Sequence, residues 1–510
     1  MGCLAAAALA AVASCRVRGD AVESGSDQRT ASASEKMAHL TWATPAAAPA
    51  AEPPAQPVEA SPRPVYPPYA GHPEDTQPLH EPIENVERLD YYFGQLTLTE
   101  LQVPGAVTRA SQWGDSVIGG DGLTARVREL LQSRFGDAGH GFHALSRYSV
   151  GYRHRGVRFQ DRGWDSCHII FHCRPDQRYG YGGVSTRSPG GARSTWQTAT
   201  DGVGQRVSRF ELWYAKHPEG GKFQLSVDGR RVHTVDTRSN VSLDAVETLL
   251  LPDGPHEITV AALGSGMARA YGVVLERDQP GVVWDELSQI GSFTQRLDYQ
   301  DAEHIAAQVA RRDTDLLVFI MGGNDVQRGA SDLRRDTLKY EHEYSRVLRK
   351  FRAGKARASC LIMSLTDHGE RVGGSVRSRE IMPRLVAAQR RVASSEGCAF
   401  FDTFHAMGGE GSVGRWQATR PPLAAKDLIH PSPAGQRQLA AWLYHALMHG
   451  YVAFRERSVG QALPELDTAR PLPGDATIEP VADATGSAGR PLREAINTPE
   501  LQAMDPMRSL

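Results

Sequence analysis

Cysteine is scarce in this chain of 510 residues: there are six, and two of them, Cys3 and Cys15, fall inside an apolar leader. The remaining four, Cys167, Cys173, Cys360 and Cys398, are too few to staple a scaffold of this length, so hydrophobic cores must hold the fold. An excess of either charge is also missing. Lys+Arg 57 against Asp+Glu 59 leaves no basic field for nucleic acid and no acidic field for a polycation, so no nucleic-acid partner is expected. No repeat of solenoid type occurs. Nowhere does the chain contain a G-x-S-x-G elbow, which argues against an α/β-hydrolase.

The leading run MGCLAAAALAAVASC is too short to cross a bilayer and ends in small residues, the pattern of an export signal over residues 1–15. Val12-Ala13-Ser14-Cys15 is similar to a bacterial lipobox, which would make Cys15 a point of lipid attachment to a membrane. No Lys or Arg precedes the run, and an ordinary signal that is fully removed is the plainer alternative. Either reading places the protein outside the cytoplasm, in the periplasm or cell envelope.

Composition divides the rest. Residues 16–88, rich in Pro, Ala, Ser and Glu, are expected to form a disordered tether, and residues 456–510 a disordered tail. In 89–145, Val127, Leu130, Leu131 and Phe135 recur at helical spacing. From 146 to 275 come short alternating runs such as RFELWYA, KFQLSV and HEITVAAL. They are split by PEGG, DGR and PDGP turns, the mark of an antiparallel β-sandwich. From 276 to 455, apolar strands (315–321, 359–365, 398–404) alternate with helices (336–353, 379–395, and from about 433). Strands of this kind are buried on both faces. The expected fold is α/β, a flavodoxin-like parallel sheet flanked by helices and interrupted by an inserted antiparallel sandwich.

In such a sheet, functional residues gather at the carboxyl ends of strands. Ser116 follows VTRASQWGD, and its hydroxyl is expected at a helix N-terminus, where the dipole favours a developing negative charge. Asn324 sits in MGGND at the end of the strand at 315–321, and Asp427 and His430 share KDLIHPSPAG before the last helix. A serine hydroxyl needs a histidine to take its proton, and that histidine needs a carboxylate to fix its tautomer. Acyl transfer further needs donors aimed at the developing oxyanion. Ser116, His430 and Asp427 supply the first requirement; the Ser116 N–H, a glycine N–H and the Asn324 amide supply the second.

Gly114-Asp115-Ser116, a glycine placed at Gly291, Gly322-Gly323-Asn324-Asp325 and Asp427-Leu428-Ile429-His430 together resemble the four blocks of the SGNH (GDSL) hydrolases. The resemblance implies Ser116 as nucleophile, His430 as base, Asp427 as its orienting acid, and Ser116, Gly291 and Asn324 as the oxyanion hole. Gly281 competes with Gly291 for register. No metal or cofactor is implied: His140, His143, His168 and His172 have no Cys or carboxylate at ligand spacing and read as surface or hydrogen-bonded histidines. Asp325 is expected to organise the Asn324 turn or hold the histidine loop, and Asp367 and His368 to line the pocket or lie solvated in a loop. Trp164, Trp196, Trp213 and Tyr214 are either core or a sugar-stacking platform. Cys167 and Cys173 would stand roughly 20 Å apart on a straight strand, so a bridge requires a bend; two free thiols are the other reading.

A sandwich interrupting such a domain resembles the arrangement of bacterial peptidoglycan O-acetylesterases, which carry an inserted carbohydrate-binding-module-like domain. That implies an exported esterase whose partner is an acetylated glycan, with peptidoglycan suspected. Esterases of other acetylated polysaccharides or lipid esters, and a catalytically silent glycan-binding lipoprotein, are the competing readings.

Overall fold

Six short strands build the sheet that carries the site, and their composition explains their burial. A computed structural model describes residues 63–328, 336–467 and 469–478; the leader, Cys15 and most of the proposed tether lie outside them. The strands are β1 (Ile83–Glu84), β2 (Val107–Gly114), β3 (Gly281–Ser288), β4 (Leu316–Ile320), β5 (Ser359–Met363) and β6 (Ala399–Phe401). They lie in the order β1-β6-β5-β4-β2-β3, parallel throughout except for the edge pair β1 and β6. Every residue of β3, β4, β5 and β6 is buried, as strands covered on both faces require.

The helices covering this sheet include α1 (Asp90–Glu100), α2 (Gly122–Phe135), α3 (Ala302–Arg312), α4 (Gly323–Arg328), α5 (Leu338–Arg352), α6 (Met382–Ser395) and α7 (Pro433–Ser458). Local chemistry sets their starts. The Asp301 side chain accepts the His304 N–H ahead of α3, and Ser432 accepts the Gly435 N–H ahead of α7, where Pro433 opens the helix. Among the described residues no helix is long and apolar enough to cross a membrane.

Two antiparallel sheets occupy the region of alternating sequence. One has five strands, and Lys222–Val227 and Arg193–Thr198 within it alternate buried and less buried positions. The other has seven. Trp196, Phe223 and Ile258 of the first share a core with Phe210, Tyr214 and Val273 of the second. The larger sheet also packs against the parallel one: Phe142, Tyr181, Trp213 and Tyr271 share a cluster with Trp113, Phe319 and Tyr344. Trp113 stacks on Phe319 at 5.3 Å and meets Tyr181 edge-on at 5.1 Å. A buried ionic chain reinforces the junction. Arg312 holds Glu276 at 2.5 Å and Asp285 at 2.8 and 2.9 Å, while Arg109 grips Glu276 at 2.9 and 3.2 Å.

Several expected boundaries move. The larger antiparallel sheet recruits Gly139–His143, placed by sequence in the preceding segment, and Ala476–Ile478, placed in the tail. The proposed tether contributes β1, and Tyr66 and Ile83 enter the core while the Tyr66 N–H donates to the Gln461 carbonyl. A few apolar anchors suffice to order a Pro-rich segment whose average composition hides them. Two disulfides form. In Cys167–Cys173 the Cα atoms approach to 6.0 Å because a 3-10 turn (Ile169–Phe171) bends the chain; Cys360–Cys398, joining β5 to the residue before β6, was not anticipated.

Candidate active site

The carboxyl ends of β2, β4 and β5 open onto one cleft, lined by Ser116, Asn324, His368 and His430 among others. Ser116 forms a relay there with a pair from the far end of the chain, His430 and Asp427. Ser116 Oγ lies 2.7 Å from His430 Nε2, and His430 Nδ1 lies 2.7 Å from Asp427 Oδ2. The other oxygen, Asp427 Oδ1, accepts the backbone N–H groups of Ile429 at 2.9 Å and His430 at 3.0 Å. Burial pushes the Asp427 carboxyl up, but these hydrogen bonds outweigh it and hold the group below its ordinary range. Asp427 therefore stays ionised to orient the imidazole. Leu428 adopts a left-handed conformation (φ 61°), and its carbonyl accepts the Gly369 N–H at 2.7 Å, which docks the histidine loop on the segment following β5.

Ser116 is not at a helix N-terminus. A turn over residues 116–120 separates it from α2, which begins at Gly122, so the helix dipole acts on it only at a distance. The turn closes through the Ser116 carbonyl, which accepts the Gly119 N–H.

Asn324 lines the cleft, and its amide donates to the Ser292 carbonyl at 3.0 Å, leaving a second N–H. Gly291 follows the carboxyl end of β3 in a left-handed conformation (φ 81°), next to Ser292, but is not among the residues lining the cleft. Its rival Gly281 starts β3 at the opposite end, packed against the Gly136 carbonyl. Asp325 braces the same loop: its Oδ2 accepts the N–H and hydroxyl of Thr294, both at 3.0 Å. Its side chain therefore holds the Thr294 segment after Gly291 and not the histidine loop. Burial raises its pKa to about 6.

Sequence reasoning left Asp115 without a role. Its Oδ2 accepts the Gly323 N–H at 2.9 Å and its Oδ1 the Val117 N–H at 3.1 Å, tying the serine turn to the asparagine turn. Gly323 is required there, because a Cβ would meet Asp115 Oδ2 at 2.8 Å and His368 Cε1 at 3.0 Å. Hydrogen-bonding acids beside nucleophiles give no sequence signal beyond adjacency.

Asp367 and His368 separate in role. Asp367 is buried and accepts the Val413 N–H at 3.0 Å, so it is structural, whereas His368 lines the cleft. Burial, assisted by His430 and Arg379, lowers His368 to about 3 and keeps it neutral. Of the other histidines, His172 is exposed, while His140, His143 and His168 are buried rather than at the surface. His143 stacks on His154 at 3.7 Å, and neither Nε2 has a hydrogen-bond partner. Trp196, Trp213 and Tyr214 are core, and Trp164 packs partly buried against it.

Residues 258–438 match the model of the GDSL-like Lipase/Acylhydrolase family, a stretch holding Asn324, Asp427 and His430 but not Ser116, which the fold supplies. Over these residues the chain is similar to the GDSL-like, or SGNH, hydrolases. The relay together with this similarity makes the chain a carboxylic ester hydrolase. Its fold is similar to that of a solved peptidoglycan O-acetylesterase, with 22% identity, a TM-score of 0.59, and 71% of this chain and 96% of that chain covered. The salicylyl-acyltransferase SsfX3 of a tetracycline biosynthetic pathway aligns at 12% identity and a TM-score of 0.26 over 59% of this chain and 95% of that one. A family two carbohydrate esterase from Clostridium thermocellum aligns at 11% and 0.23 over 55% and 97%. No curated protein sequence matches.

Proposed function

We propose that this protein is an exported carbohydrate O-acetylesterase of SGNH type acting on peptidoglycan. The observation that carries the esterase chemistry is the continuous relay Ser116–His430–Asp427, 2.7 Å at each step. His430 Nε2 takes the hydroxyl proton as Ser116 Oγ attacks the acetyl carbonyl, and Asp427 stabilises the imidazolium through Nδ1–H. The backbone N–H of Ser116 and the second N–H of Asn324 receive the oxyanion, and the N–H of Gly291, which is not among the residues lining the cleft, is the third donor implied by the family resemblance. His430 then protonates the departing sugar oxygen, and a water deprotonated by the same nitrogen releases acetate from Ser116.

The glycan assignment is supported by the fold likeness to a peptidoglycan O-acetylesterase, and by the antiparallel sheets read as a sandwich inserted before the Gly291 block. Export, with attachment through a lipidated Cys15, is supported by the sequence of the leader alone. The test is acetate release from O-acetylated peptidoglycan and, in parallel, from acetylated xylan, with Ser116→Ala as control. Release from peptidoglycan that vanishes in the variant supports the reading; release only from xylan overturns the substrate.

A further inference from the structure

The tryptophans and Tyr214 of the antiparallel region are at least partly buried, so a sugar platform must be sought elsewhere. Among the described residues one Phe, Tyr or Trp is exposed. Phe171 shows 68% of its surface, while every other described Phe, Tyr and Trp is at least partly buried. It sits on the loop closed by the Cys167–Cys173 disulfide.

Contacts hold this loop, and the exposed phenyl ring itself meets the His168 ring edge-on at 6.4 Å. Ile169 is fully buried and its N–H donates to the Gly183 carbonyl at 2.9 Å, and the His172 ring stacks on Tyr299 at 4.5 Å. The loop also touches the active-site margin. A Cβ placed on Gly291 would lie 3.8 Å from Ile170 Cδ1, and the next residue, Ser292, holds the Asn324 amide of the cleft. A second apolar residue rises beside the same margin: a Cβ on Gly151 would meet Ile290 Cδ1 at 3.2 Å, and its neighbour Val150 is 91% exposed. The two most exposed large apolar side chains described thus come from loops that abut Ile290-Gly291.

Exposed apolar groups grouped at a cleft margin mark a binding surface, and a ring already fixed by its surroundings loses little freedom when a ligand covers it. We propose that Phe171 is a sugar-stacking platform at the rim of the active site, its ring face covering the apolar face of a pyranose in the glycan that bears the scissile acetyl group. This rests on the carbohydrate-esterase reading above. Val150 extends the apolar rim, and the disulfide holds the platform against the Gly291 loop.

The test compares wild type, Phe171→Ala and Phe171→Trp on O-acetylated peptidoglycan, on acetylated xylan and on 4-nitrophenyl acetate, which has no sugar to stack. Phe171→Ala should raise KM on the glycan that wild type cleaves by roughly five- to thirtyfold, the range of a buried aromatic anchor. Phe171→Trp should restore it, and kcat/KM for 4-nitrophenyl acetate should not change. An unchanged KM on the glycan, or equal losses on glycan and small ester, overturns the platform and leaves the esterase reading standing. If wild type cleaves the small ester but releases acetate from neither glycan, the carbohydrate-esterase reading falls and the platform with it.

Discussion

The carboxylate of Asp115 accepts the Gly323 N–H at 2.9 Å, joining the turn that carries Ser116 to the turn that carries Asn324. Its second oxygen accepts the Val117 N–H, so both oxygens are committed as acceptors. Asp115→Asn must turn an NH2 group toward one of these two donors, leaving it unpaired in a buried place. The variant should lose about 1–3 kcal/mol of stability, and kcat should fall with KM little changed, as steady-state kinetics and denaturant unfolding can show. Unaltered kcat would mean the two turns hold their geometry without the brace.

Asp325 gives a pH signature. Its pKa of about 6 in the folded state lies above the unfolded value of 3.8, so the folded protein holds this proton more tightly. Its contribution is most favourable below pH 4 and is lost as pH rises through 6, by about 3 kcal/mol in all. Asp325→Asn keeps an acceptor for Thr294 and removes the titration. The stability of the variant relative to wild type should therefore climb by that order between pH 4 and pH 7 in urea unfolding; a pH-independent difference would contradict it.

Histidine burial works in the opposite sense. Burial, with His154 and His140 nearby, holds His143 well below its ordinary pKa, so it is neutral when folded and charges on unfolding. Its contribution is fully present above the unfolded value near 6.5 and is lost as pH falls, at about 1.4 kcal/mol per pH unit. His143→Gln should take up one proton fewer on unfolding between pH 6 and pH 4.5, visible as a shallower dependence of stability on pH. Equal slopes would mean that His143 is already charged in the fold.

Arg312 ties α3 to both Glu276 and Asp285, and all three are buried. Removing the cation leaves Glu276 with Arg109 alone and leaves the buried Asp285 with only the Ser111 hydroxyl and the Phe142 N–H. Arg312→Ala should cost about 3–5 kcal/mol, with the parallel sheet and the larger antiparallel sheet losing protection together in hydrogen exchange, because the chain spans their junction. Loss confined to α3 would show that the junction stands on its apolar contacts.

Much of this was legible because parallel strands announce themselves. The apolar LLVFI of β4 and the mostly apolar SCLIM of β5 read as buried strands, and the turns at their carboxyl ends then locate Asn324 and, with the last helix, His430. Less legible were the features set by contact at long range. Ile83 pairs with Phe401 although its surroundings are Pro-rich, and Ala476–Ile478 find a partner in Leu243–Gly254. Phe171 escaped notice because one aromatic among apolar neighbours in DSCHIIFHC reads as core; only the bend closed by the disulfide turns it outward. Asp115 was hidden for a similar reason, since its partner Gly323 lies 208 residues away.

The relay itself is best tested by a double-mutant comparison on 4-nitrophenyl acetate, independent of any glycan. If Ser116 and His430 act as one unit, Ser116→Ala should lower kcat by about 10^4-fold or more, and adding His430→Ala should cost almost nothing further. Losses that multiply, or a Ser116→Ala variant that keeps most of its activity, would contradict the nucleophilic role assigned to Ser116.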